Sequence, residues 1–542
     1  MKTHLSKKLL ERLFVAASIR RWNDKATPLE FVELDKQAHK IILAFIFAKY
    51  EDEKIEREYA KNHNNLKEKL GNTESNGEFC KQDSKADSKE TKDSKNHNIS
   101  GKKLGHKHTK DSNKNAKKLG NIESNLDSKI QMPTHHPINE NIESNTQKPP
   151  HDTIDKNKPR KINYILLIEQ FLYEFFERVV LTDIKPPVFH KLKATHGAEL
   201  SEFVESTLKN ELENYTFFKN MREYLANKNS HIQSSKNHNL DSKTTTTFEP
   251  KNSKNHSSNS NLYSKNPNFK EQNIESKILS AAHFYASKWE FDIIYHFNPK
   301  LYDMENIKRI IDAQNESFYD LEGMKNAILY SDLREVLGMF AELRFQKRWS
   351  QTPRIPQTSV LGHMLIVAIS AFLLSCDLNV CEQMRLNHFF GGLFHDLPEV
   401  LTRDIISPIK RSVKGLDGII KGIEKEEMES KILSRLPEFI ARDIRFWSEN
   451  EFANRVILGD CVRCDIESSE IFSRYNENEY RPVCGELLKF CDKLSAFLEA
   501  RISIAHGLSS PDLLSGSLEI YEQLKDKKIN GMDVGFLLKE FM

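Results

Sequence analysis

The stretch NHFFGGLFHDLPEVLTRDIISPIK, residues 387–410, sets His395 and Asp396 side by side in an apolar run, follows them with Glu399 and Asp404, and turns at Pro408. A helix packed into a core gains nothing by taking an imidazole and three carboxylates out of water within ten positions, because a buried polar group costs free energy unless something compensates it. Solvent, mutual pairing and a metal ion are the compensations open to such a cluster. Adjacent residues point about 100° apart on a helix, so His395 and Asp396 can both reach one ion lying between their directions. Glu399, three residues from Asp396 and four from His395, faces the same opening. There it can hold or deprotonate an attacking water without being a ligand.

Outward from this stretch the apolar spacing stays helical. Helices are expected over Leu5 to Trp22, Leu34 to Tyr50, Ile162 to Val180, Ile278 to Phe297 and Met324 to Trp349. The pattern continues over Ser359 to Ser375, Met384 to Leu397, Asn454 to Tyr475 and Cys484 to Ala505. No run of alternating strands connects them, so the fold class is all-α.

The chain of 542 residues is long enough for two or more domains. Its 80 basic and 78 acidic side chains leave a formal charge of +2, which gives no global attraction for nucleic acid or anionic lipid. Seven cysteines are too few for a disulfide scaffold at this size, and no apolar targeting run opens the chain, which favours a reducing cytoplasm. The runs Ile41 to Ala48 and Met364 to Leu374 read as too short to span a membrane. Residues 51 to about 160 and 227 to 275 are rich in Lys, Asn, Ser, Asp and His and poor in apolar residues. Both are expected as disordered, low-complexity inserts.

The two ends of the core echo each other. SIRRW at 18–22 answers FQKRW at 345–349, each followed by a histidine at the front of an apolar helix, His39 and His363. YEFFERVVLTDIKPPV at 173–188 answers FHDLPEVLTRDIISPI at 394–409, and AAHFYASKWE at 281–290 answers FCDKLSAFLE at 490–499. Three echoes in one order point to duplication of a helical module. In the first copy Glu174-Phe175 stands at the His-Asp position, His283 at the late aspartate and Arg178 at the glutamate, so no catalytic metal is expected there.

Taken singly, His363 can equally be a hydrogen-bonded structural residue, and Asp492 a cap or a partner of Arg501. Their order is more specific. A histidine, a His-Asp pair about thirty residues later and an aspartate on a late helix resemble the metal-dependent phosphohydrolase superfamily named for its HD motif. Arg348-Trp349, HDLPEVLTRDIISPIK and CDKLSAFLEA look most like the bacterial 5'-deoxynucleotidases of that superfamily. The resemblance covers roughly residues 340–507. It implies one divalent ion (Co, Mn, Fe, Ni or Zn) held by His363, His395, Asp396 and Asp492. It further implies Arg348 on the substrate phosphate, Trp349 beside the sugar, Glu399 near the water and Asp404 on the leaving side. Asp183 persists in the first copy as the counterpart of Asp404, so a capping role for Asp404 stays open. The family often places a glutamate before the first metal histidine, where this chain has Gly362.

The echoes together with the resemblance imply tandem HD-domain modules: residues 1–335 degenerate and carrying the inserts, 336–542 catalytic. Family members commonly dimerise, so the two modules are expected to form an internal pseudo-dimer, with homo-oligomers of the whole chain a further expectation. The expected partner is a small-molecule phosphate ester, a (deoxy)ribonucleoside 5'-monophosphate before others, with neither a membrane nor a specific nucleic acid. Rival readings are an HD hydrolase of a nucleoside triphosphate or cyclic nucleotide, and a catalytically silent helical scaffold. Cys461, Cys464, Cys484 and Cys491 have a spacing that structural zinc can use, but they fall in segments read as helix and are expected as small buried hydrophobes.

Overall fold

In the computed structural model residues 2–74, 160–182, 184–226, 273–403, 414–464 and 466–542 are described. The first half runs through α1 (Lys7–Ser18), α2 (Glu33–Glu74), α3 (Tyr164–Leu181), α4 (Pro186–Leu212), α5 (Ile274–Phe297), α6 (Met304–Glu316) and α7 (Glu322–Leu329). The second runs through α8 (Ser331–Glu342), α9 (Val360–Asp377), α10 (Glu382–Phe394), α11 (Glu399–Thr402), α12 (Leu416–Lys431) and α13 (Glu438–Ser448). It closes with α14 (Ser468–Ser473), α15 (Gly485–Ala505), α16 (Pro511–Leu524) and α17 (Phe536–Lys539). Short polar side chains start several of them by taking an orphan amide: Ser6 accepts from Leu9 N, Asn163 from Leu166 N, Asn273 from Ser276 N and Ser359 from Gly362 N. The described strands form small antiparallel hairpins, β1–β2 (Arg20–Arg21 with Phe31–Val32), β3–β4 (Val456–Leu458 with Cys461–Arg463) and β5–β6 (Lys528–Ile529 with Met532–Asp533). The chain is predominantly helical, as expected.

Helix α9 is the centre of the core. It is apolar on every side and 94% of it is buried, so although it is long and apolar enough to cross a membrane, it packs as a core helix. Helix α10 is wedged between α9 and α15, and the Gly391-Gly392 pair makes that possible. A Cβ on Gly392 would lie 2.8 Å from Ala368 Cα of α9, and one on Gly391 would lie 2.9 Å from Leu488 Cδ1 of α15. Three helices that each carry a candidate ligand are thus brought into close approach by two residues without side chains.

Three expectations change. The segment Asn454 to Tyr475 is not a continuous helix: Gly459-Asp460 forms the two-residue turn of the β3–β4 hairpin, with Gly459 at φ +61°, and that dipeptide is a recognised hairpin signal. Met324 to Trp349 breaks at Tyr330, whose backbone is extended, into α7 and α8. Residues 51–74, read as the start of an insert, continue α2. Glu51 there accepts the amide of Glu322, and Asp52 accepts Ile162 N at 2.8 Å and the Tyr164 hydroxyl at 2.8 Å. Apart from 160 and 273–275, which are described, the rest of both inserts lies outside the described residues, as does Asp183.

Two loops of like geometry precede α2 and α9. Arg20 pairs with Val32 in the first half and Lys347 with Ser359 in the second, each closing a loop of the same length. Inside those loops Lys25 N donates to Trp22 O at 2.9 Å and Thr352 N to Trp349 O at 2.8 Å. Glu33 N reaches Ile19 O and Val360 N reaches Gln346 O, both at 2.9 Å. Trp22 and Trp349 sit at φ +57° and +54°, a left-handed conformation costly for so bulky a side chain.

Candidate metal centre

His363 lies one turn into α9, whose start is fixed by Ser359: its hydroxyl accepts Gly362 N at 2.9 Å and donates to Asp35 Oδ1 at 2.6 Å. The ring is wholly buried. Its Nδ1 is bonded to Ser495 Oγ at 2.9 Å, which leaves Nε2 aimed at Asp492 Oδ1, 3.1 Å away. His395 caps the C-terminal end of α10. Its Nδ1 donates to the Gly392 carbonyl at 2.8 Å, so in the neutral ring Nε2 carries the lone pair.

Nε2 of His395 and Nε2 of His363 then converge on Asp492. One ligand atom each from His363, His395 and Asp492 lies within 4.8 Å of the others. Asp396 stands beside them, its Oδ2 3.2 Å from His395 Nε2 and 3.6 Å from His363 Nε2. The buried Nε2 of His395 forms no hydrogen bond of good geometry, the kind of orphaned polar atom that burial penalises unless a ligand fills it. Two imidazole nitrogens and a carboxylate converging in this way fit a single divalent ion of the borderline class, which binds as the rings give up their Nε2 protons. The imidazoles and carboxylates meanwhile compensate one another as ion pairs. Burial pushes Asp396 up, but His395, His363 and Arg348 hold it far below the usual carboxylate range; burial likewise pushes Asp492 up, and His363 and His395 bring it below its ordinary value. Burial lowers His395, yet Asp396 and Asp492 raise it to about 9.

One face of α15 supplies the other wall, with Asp492, Ser495 and Glu499 at i, i+3 and i+7. Glu499 is 1% exposed and collects Thr358 Oγ1 at 2.6 Å, Trp349 Nε1 at 2.9 Å and Arg348 Nε at 3.4 Å. Burial raises its carboxyl, but Arg354 and Arg348 bring it down to about 2. Arg348 thereby spans the centre, its other nitrogen 3.4 Å from Asp396 Oδ2. Arg348 and Trp349 line a cavity of about 330 Å³.

The structure therefore brings together His363, His395, Asp396, Asp492, Arg348 and Trp349. Glu399 is buried one turn after Asp396, its amide donating to the Asp396 carbonyl at 3.1 Å. Asp404 and Pro408 lie outside the described residues. Sequence reasoning passed over Glu499, Ser495 and Thr358, although the seven-residue step from Asp492 to Glu499 marks a shared helix face. It also passed over the reason for Gly362: a Cβ there would meet Leu34 Cδ2 at 2.8 Å and Asp35 Oδ1 at 2.9 Å.

Counted from the loops that pair Arg20 with Val32 and Lys347 with Ser359, Lys36 rather than His39 falls at the step of His363, and its side-chain nitrogen contacts His283 Nδ1. His39 instead lies against Trp289 and takes a 3.3 Å bond from Arg344. Among the described residues the four cysteines build no metal cluster. Cys484 and Cys491 are buried in or beside α15 as expected, whereas Cys461 is exposed on β4 and Cys464 is half-buried.

No curated protein matches the chain. Residues 340–521 match the family model described as HD domain. That stretch contains all four candidate ligands, and with the converged His363, His395 and Asp492 it identifies an HD domain housed in an HD-type metal-dependent hydrolase.

Proposed function

We propose that the centre hydrolyses nucleoside 5'-monophosphates, deoxyribo forms before ribo forms, to nucleoside and phosphate. The observation that carries this reading is the Arg348-Trp349 pair, locked by Glu499 against the edge of the His363/His395/Asp492 cluster and open to a cavity of about 330 Å³. A planar guanidinium there suits the oxygens of one phosphate. The cavity's other arginine, Arg354, is turned inward, with one nitrogen 2.9 Å from Thr358 Oγ1 and 3.2 Å from Arg348 O. That favours a single phosphate over a triphosphate chain.

When bound, the divalent ion supplies Lewis acidity to the phosphoryl group and acidifies water. Arg348 binds the phosphate and offsets charge on its equatorial oxygens. Glu399 takes the proton of the attacking water, and Asp404 delivers one to the leaving 5'-oxygen. Asp396 completes the ligand set. The indole of Trp349 offers no partner to a 2'-hydroxyl, so a ribose leaves that group unpaired.

In this reading the first half is a diverged copy of the second, and the two form an internal pseudo-dimer around α9. The matched loops, the Trp22 and Trp349 backbones and the parallel Arg-Trp-Glu contacts support it. The test is phosphate release from a panel of nucleoside mono-, di- and triphosphates by the metal-loaded chain. Turnover of monophosphates is expected, falling at least about a hundredfold in Glu399→Gln, with deoxy preference eroded in Trp349→Phe. A panel without any turnover, or one led by triphosphates, overturns it.

A further inference from the structure

The first half keeps a copy of the cavity that flanks the metal centre. Arg20, Arg21, Trp22, Asn23 and Lys25 lie among the residues lining a cavity of about 370 Å³, close in size to its counterpart of about 330 Å³. Trp22 Nε1 donates to Glu290 Oε2 at 2.9 Å, as Trp349 Nε1 donates to Glu499 Oε2 at 2.9 Å. Arg21 Nε reaches the same Glu290 oxygen at 2.9 Å and its other arm meets Glu33 at 2.7 Å. The Arg21 side chain as a whole is 17% exposed and lines the cavity.

Behind it the ligand set is gone. Lys36 and His283 stand where His363 and Asp492 stand, and Glu174 is paired with Lys40 at 2.5 Å. Lys36 is wholly buried against a ring that burial and the Lys36 charge hold neutral. Arg21, Lys40 and Arg178 add positive field around it, offset by Glu33 and Glu290 on Arg21 and by Glu174 on Lys40, and burial with Arg21 drives Lys36 well below its ordinary 10.5. A lysine side chain therefore fills the region that in the second half is built for an ion, and the cavity in front of it is lined by Arg20, Arg21 and Lys25 against one acid, Glu30, a balance that favours an anion.

We infer that the Arg21-Trp22 cavity is a second nucleotide site, which binds a nucleoside 5'-monophosphate through its phosphate and holds it unhydrolysed. The ligand class rests on the reading of the metal centre; the anion preference does not. Arg21 makes the phosphate contact, Trp22 flanks the nucleoside, and Lys36 fills the space behind with neither the Lewis acidity nor the ligands that hydrolysis needs.

The test is equilibrium dialysis of the full chain carrying Arg348→Gln, in EDTA, with 2'-deoxyadenosine 5'-monophosphate and with inorganic phosphate as probes. Neither metal nor turnover enters the readout, so a failed hydrolysis assay and a failed binding assay stay distinguishable. Saturable binding is expected, weakened about tenfold or more by Arg21→Gln. Arg21 is tied to two buried acids, so Leu29→Glu, an exposed position on the cavity rim, serves if Arg21→Gln does not fold. It should weaken binding several-fold by repulsion. Absence of saturable binding, or affinity undiminished in a folded Arg21→Gln or in Leu29→Glu, overturns the inference.

Discussion

Replacing Glu499 by Gln keeps the shape of the side chain and removes its charge. In the fold the carboxyl is held at about 2 against an ordinary 4.5, and each tenfold in proton affinity corresponds to about 1.4 kcal/mol. The charged form is thus favoured in the native state by about 3 kcal/mol. A depressed carboxyl contributes that stability above its unfolded value and loses it as pH falls through the folded one. Urea unfolding followed by circular dichroism should show Glu499→Gln less stable than the parent by about 3 kcal/mol at pH 7. Between about pH 5 and about pH 2 the two should converge, because the parent then becomes protonated at this position. Arg348 and Trp349 lose their common anchor in the same variant, so kcat/KM should fall with stability. A gap below about 1 kcal/mol at pH 7, or one that does not narrow on acidification, would refute the assignment of Glu499 as the buried anion that organises this wall.

Asp492→Asn should leave the helices intact and reduce bound metal from one ion per chain to a small fraction, read by elemental analysis after dialysis. An unchanged metal content would remove Asp492 from the ligand set. Gly362→Ala pushes a methyl against Leu34 and Asp35 and should cost about 1–3 kcal/mol in unfolding free energy. No shift in the urea midpoint would show that the two halves approach less closely there. Lys36→Met removes an ammonium whose burial, with Arg21 nearby, drives its pKa well below 10.5. The penalty is full at low pH and fades as pH climbs toward 10.5, so the variant should be the more stable at neutral pH and the difference should shrink in alkali. A variant less stable than the parent would mean that the ammonium is compensated.

The fold class and the metal cluster were legible because both are written in local spacing. Apolar periodicity located most helices of the core, and the order His363, His395-Asp396, Asp492 located the centre. What stayed hidden depends on contacts between distant segments. Glu499 reads as an ordinary helix acid until Thr358, Arg348 and Trp349 are folded onto it. Gly362 reads as a lost glutamate until Leu34 and Asp35 fill the space. Lys36 drew no notice in the sequence because His39, three residues on, matched His363 by letter, and its contact with His283 joins distant segments. The β3–β4 hairpin was missed for a different reason: its flanks carry apolar residues at spacings that suit helix as well as strand, and the Gly459-Asp460 signal was outweighed.

The bond from Ser359 to Asp35 makes the helix start that bears His363 a shared possession of both ends of the gene. A truncated product beginning near residue 336 would keep every ligand yet lack the anchor that sets where the first one points, and would leave the flank of α9 wet. Fragment screens would then score such a piece as inert for reasons unrelated to its chemistry. Damaging substitutions near Asp35 should accordingly behave in genetic tests as lesions of the hydrolase itself.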